Sequence, residues 1–147
     1  MLSLSLARQL KEAGLEWQPA LNDFFAIPDR GFDDEIFVIS DVFANVEWLQ
    51  GHLSVTFHGA VEWALDQVMV AELIWLPSEG QLREELEKRL AQKGPFQMRL
   101  IGTATGHVCE FDLGTQQRRF EASDASAAYA AALLHVLTEG VRREYLQ

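Results

Sequence analysis

Cysteine is almost missing from this chain: Cys109 is the only one in 147 residues, so no internal disulfide can form and a reducing compartment is expected. Long apolar runs are missing too, and no stretch reaches the length needed to cross a bilayer. The opening "MLSLSLARQLKEAGLEW" has no basic leader and reads as a helix rather than a signal peptide, which makes the cytoplasm the expected location. There is no glycine-rich turn between a strand and a helix and no regular βα alternation, which argues against a doubly wound nucleotide fold. Most telling is the shortage of cations. No Lys or Arg lies between Gly31 and Leu82, a stretch that holds nine carboxylates: Asp33, Asp34, Glu35, Asp41, Glu47, Glu62, Asp66, Glu72 and Glu79. From Arg83 to Gln147 the signs balance, nine against nine.

The formal net charge of −10 therefore belongs mainly to the middle of the chain, and it excludes nucleic acid and anionic membranes, whose phosphates demand a basic face. What is present is ordinary for a folded protein: 48% hydrophobic and 23% charged residues, over a length natural for one domain. The expectation is a single α+β domain spanning residues 1–147. The first half is aromatic as well as acidic, with Trp17, Trp48, Trp63 and Trp75 beside Phe24, Phe25, Phe32, Phe37, Phe43 and Phe57. Most of these rings belong in a core, but one or two left outside among carboxylates make a contact surface. Phe32, Asp33, Asp34, Glu35 and Trp48 are the candidates.

Hydrophobic spacing predicts the elements. Leu6, Leu10 and Ala13 recur on one face of a helix over about Ser3–Ala13, with Gly14 placed as its C-terminal cap. "FFAI" (24–27) and "EIFVIS" (35–40) read as strands joined by the turn "PDRG". In "LSVTF" (53–57) apolar and polar residues alternate, after a turn at Gln50-Gly51. "AVEWALDQVM" (60–69) has helical spacing, and a strand is expected over roughly Ala71–Leu76, ended by Pro77. Ser78 and Gln81 form a capping-box pattern ahead of the Leu82, Leu86, Leu90 stripe, with Arg83–Glu87, Glu84–Lys88 and Glu85–Arg89 on the wet face. Three short strands then make a meander. A last helix is expected from a Ser123 cap to Gly140, burying Ala130, Leu133, Leu134 and Leu137. The fold class expected is α+β: a mainly antiparallel sheet covered by three or four amphipathic helices, with the meander and a helix at the C-terminus.

Chemistry-bearing clusters are few. His107 and Cys109 share a strand face but lack further ligands at metal-site spacing, since the other histidines are His52, His58 and His135. Glu110 and Asp112 share the alternate face, where Arg118 and Arg119 on the next strand suit cross-strand ion pairs. "HG" at 58–59 could offer amides to an anion, but Glu62 in the following turn repels one. The acidic run at 29–35 puts Arg30 and Phe32 where a calcium loop needs oxygens, so it reads as a turn and not a cation site. No catalytic residue, metal site or cofactor is assigned.

At "LARQLKEAGLEWQPALNDFFAIPDR", "VTFHGAVEWALD", "ELIWLPSEGQLREELEKRL" and "FEASDASAAYAAALLHVL" the chain resembles a family of small uncharacterised bacterial proteins, over nearly its whole length. Some members carry a pilus-assembly label, which implies a nucleotide-binding ATPase of the deviant Walker type. That activity needs G-x-x-x-x-G-K-[ST], which is not in this chain; Lys93 precedes a Gly only at a helix end, so the label is not carried over. The last third also resembles a phage-derived α-β-α sandwich domain. The family implies no catalytic residue. The reading that emerges is a non-catalytic accessory or interaction module with an acidic, aromatic surface, meeting a basic protein or a second copy in a homodimer. The alternative is a small-molecule-binding domain or hydrolase using the sheet face around His107, Cys109 and Glu110.

Overall fold

A computed structural model describes residues 1–32, 35–40, 44–57 and 67–145. Three α-helices and nine strands are formed among these residues, and every strand pairing is antiparallel. The α+β class holds. The expected single helix-covered sheet does not: the strands form three separate sheets of three. The chain divides into two compact units, one made of Met1–Leu15 with Pro77–Gln147 and the other of Glu16–Leu76.

The unit Glu16–Leu76 is built from strands. β1 (Phe24–Ala26) pairs with β2 (Phe37–Val38) and with β6 (Ile74–Leu76), in the order β2-β1-β6. Between β1 and β2 the "PDRG" segment turns as expected, with Asp29 and Gly31 at positive φ. β3 (Ala44–Leu49), β4 (His52–Phe57) and β5 (Gln67–Met69) make the second sheet. Gln50 and Gly51, both at positive φ, close the two-residue β3–β4 hairpin in the geometry that suits the twist of its strands. Both sheets contribute to one apolar core: Phe25, Phe37 and Ile39 from the first segment pair, Val55 and Val68 from the second, with Ile27 and Leu73. Trp17 stacks on Trp75 at 6.4 Å and tilts against Phe25 at 5.6 Å. Its indole N–H donates to the buried Asp23 carboxylate at 3.0 Å, and the Ala20 amide donates to the same oxygen.

Two expectations change here. The helix over 60–69 falls mostly outside the described residues, and its last three residues are β5 rather than helix. The strand over Ala71–Leu76 is a 3-10 turn at Val70–Glu72 followed by β6.

The other unit gathers all the described α-helices. α1 (Leu4–Glu12) begins at Ser3, whose hydroxyl accepts the Leu6 amide, and buries Ala7 and Leu10. α2 (Glu79–Lys93) buries Leu82, Leu86 and Leu90 completely. Its capping box is reciprocal: Gln81 N–H donates to Ser78 Oγ at 3.2 Å, and Ser78 N–H donates to Gln81 Oε1 at 2.9 Å. Arg83–Glu87 and Glu85–Arg89 pair as expected, whereas Lys88 turns to Glu85 instead of Glu84. The meander follows as β7 (Gln97–Thr103), β8 (Gly106–Asp112) and β9 (Gln117–Ala122).

α3 (Ala125–Tyr145) packs on β8, β9, α1 and α2. Its cap is Asp124, which accepts the Ala127 amide at 2.8 Å, and not Ser123. Gly140 lies inside the helix and does not end it. Ala130 and Leu133 are buried as expected, while Leu134 and Leu137 are only half-buried; Ala128, Ala132 and Val136 complete the contact. Alanines at so many buried positions let several elements approach one helix closely. No described helix is long and apolar enough to cross a membrane.

Candidate interaction surface

Charge and fold coincide in the unit Glu16–Leu76. Its sequence holds eleven Asp and Glu against one cation, Arg30, which accounts for the whole formal charge of −10. Arg30 is itself neutralised, with its guanidinium 3.4 Å from both oxygens of Glu72. The pair is exposed and adds little stability, but it leaves the unit's one Lys or Arg engaged. The other unit is formally neutral, with eleven charges of each sign. Its described arginines are mostly paired: Arg83 with Glu87, Arg99 with Glu110, and Arg119 with Glu110 and Glu121.

The sequence candidates are not all alike. Trp48 stands near the tip of the β3–β4 hairpin, 73% exposed, opposite the half-buried Leu53. An indole this open is an unused contact of large area. Phe32 is different: it is half-buried and meets Phe37 edge-on at 6.0 Å, so it finishes the core margin. Glu35 is exposed, and its amide donates to the Phe32 carbonyl at 3.0 Å. Asp33 and Asp34 lie outside the described residues, as do His58, Trp63 and the 58–59 dipeptide. Within Glu16–Leu76 the structure also exposes the apolar residues Leu21, Phe24, Ile36 and Met69, which were not among the candidates. Alternation held the signal for two of them. If Phe25, Phe37 and Ile39 fill the core, then Phe24 and Ile36 face the other way.

On the meander, alternation separates the residues of the hydrolase reading. His107, Cys109 and Phe111 occupy the face beneath α3, where Phe111 and Phe120 contact the His135 ring at 6.5 and 5.4 Å. Cys109 is fully buried, and burial, helped by the neighbouring Glu110 charge, pushes its thiol from 9.0 to about 11. A thiol so protonated is a poor nucleophile. Glu110 points to the opposite face, between Arg99 at 3.8 Å and Arg119 at 3.7 Å, which is the cross-strand ion pairing expected there. A cleft of about 270 Å³ beside it is lined by Gln97, Asp112, Gln117 and these charged groups, with no thiol or imidazole. Along α3, burial raises the Glu139 carboxyl, but His135 at 3.1 Å, Lys93, Gln116 and Arg118 outweigh it and hold it below its ordinary value. No group of three or more His, Cys, Asp or Glu among the described residues could hold a metal ion.

Comparison with protein-family models, with curated proteins and with solved structures finds no match to this chain.

Proposed function

We propose that this protein is a cytoplasmic accessory module of the bacterial family it resembles, working by non-covalent contact with another protein and without a catalytic step. Its acidic, aromatic surface belongs to the unit Glu16–Leu76, and its partner is a basic protein or a second copy. One observation carries the reading: the entire net charge sits on one unit, whose only Lys or Arg is already paired. The unit's −10 exceeds the magnitude of about 2 to about 8 that keeps a small domain soluble, and a field of this kind steers a partner of opposite sign.

The test is a titration of the intact protein with a Lys–Ser peptide and its Glu–Ser counterpart, beside sedimentation equilibrium for self-association. The Lys–Ser peptide is expected to bind and to weaken by about tenfold or more between about 50 and about 500 mM salt. Glu35→Lys combined with Glu47→Lys, at two exposed positions, should weaken it several-fold at low salt. Equal binding of both peptides, together with a monomer mass at every concentration, would remove the reading.

A further inference from the structure

Each three-stranded sheet ends in two edge strands, and among the described residues β7 is the longest edge. It runs seven residues, against six in β3 and β9 and two or three in β2, β5 and β6. An edge strand turns alternate N–H and C=O groups toward the side where no strand lies. Folded chains discourage strand addition there with charges, Pro or a bulge. β9 carries Arg118, Arg119 and Glu121, and β3 belongs to the unit of charge −10. β7 has no Pro, its register with β8 runs unbroken from Gln97–Asp112 to Thr103–Gly106, and its one charge, Arg99, lies 3.8 Å from Glu110. Its cover is incomplete as well. α3 packs chiefly on β8 and β9, so Met98 and Leu100, opposite the buried Phe111 and Cys109, are only half-buried. Gln97, Arg99, Ile101, Gly102 and Thr103 are exposed.

We propose that β7 docks the β7 of a second copy of this chain, antiparallel and centred on Leu100, joining two meanders into one continuous sheet. The strand's own sequence selects the occupant, because it is complementary to itself in reverse. Leu100 is the midpoint of Gln97–Thr103, so this register pairs the whole strand with none of it overhanging. Leu100 then meets its own counterpart. Met98 meets the partner's Gly102, whose missing side chain leaves room for the thioether; a Cβ there would stand 3.9 Å from His107 Nε2. Arg99 lays its aliphatic stem on the partner's Ile101, and Gln97 faces the partner's Thr103. Sliding the register by two residues one way sets Arg99 against its own counterpart; the other way runs Met98 past the strand end. The unit that contributes β7 is formally neutral, so no net repulsion between those two units opposes the pairing.

The experiment is sedimentation equilibrium of the full chain from about 10 to about 500 µM, where the mass should rise from one chain toward two, as so small an interface implies. Amide exchange should slow along β7 over the same range and stay unchanged along β9. Ile101→Lys puts like charge opposite Arg99, whereas Ile101→Glu puts opposite charge there. With circular dichroism unchanged in both, the Glu variant should dimerise about tenfold more tightly than the Lys variant. General repulsion predicts the reverse, since the Lys variant is the nearer to neutrality. A monomer mass throughout, or equal dimerisation of the two variants, would overturn the inference. So would a dimer that Trp48→Ala abolishes and Ile101→Lys spares, which places self-association at the hairpin. The acidic reading is tested apart from this one: loss of the dimer in Ile101→Lys with Lys–Ser binding intact supports the pairing and leaves that reading standing.

Discussion

Cys109 illustrates what a single residue reveals and what it hides. Its strand neighbours show that it shares a face with His107, and that much follows from alternation alone. The identity of the cover does not: Phe120 from β9 lies opposite it in register, and α3 packs on the same two strands. These contacts come from residues distant in sequence, so no local pattern records them. The consequence is a measurable pH dependence. A thiol raised from 9.0 to about 11 is favoured in its neutral form by the fold, so its contribution is complete below pH 9 and lost as the pH climbs through 11. Urea unfolding across this range should show wild type losing on the order of 2 kcal/mol more than Cys109→Ala. The comparison belongs in a Tyr129→Phe background, because Tyr129 is raised first by burial and next by the Cys109 charge, so its titration would not cancel. Parallel curves for the two proteins would mean that the thiol ionises as freely in the fold as outside it.

Helix starts are written in local chemistry, and α2 was legible for that reason. The Ser78–Gln81 spacing announces the capping box, and both of its hydrogen bonds are formed. Ser78→Ala removes the acceptor for the Gln81 amide and should lower stability by about 1 kcal/mol, read from the urea midpoint at constant slope. A change below a few tenths would mean that water replaces the hydroxyl at no loss. At α3 the expected Ser123 cap gives way to the adjacent Asp124, whose carboxylate accepts the Ala127 amide. Gly140 misled because glycine weakens a helix without obliging it to stop, and the sequence beyond continues it to Tyr145. Strands were harder. β3 carries "ANVEWL", whose partner β4 is adjacent, yet the assignment of strands to three sheets depends on pairings such as β1 with β6, far apart in the chain. Alternation tells which side of a strand is apolar, not which strand lies beside it.

At the scale of the molecule, the charge layout was the most legible feature, since the cation-free stretch from Gly31 to Leu82 can be read directly. Its meeting with a structural unit could not be read, because Met1–Leu15 joins Pro77–Gln147 across the chain. That coincidence makes the unit Glu16–Leu76 self-repelling, since its single Arg30, paired with Glu72, stands against eleven carboxylates. Screening should therefore stabilise it. The Debye length falls from about 30 Å at 0.01 M salt to about 8 Å at 0.15 M, shorter than the span of a small domain. Two optical signals report separately, for all four tryptophans lie within Glu16–Leu76, while every described α-helix lies in the other unit. The urea midpoint followed by tryptophan emission should rise with added NaCl, and KCl should act equally, as screening rather than specific ion binding requires. The midpoint followed by helical circular dichroism should rise less where the two transitions separate, because the helical unit carries no net charge. A fluorescence midpoint that stays fixed or falls with salt would show that the eleven carboxylates are spaced too widely to repel, and would remove the electrostatic argument for a basic partner.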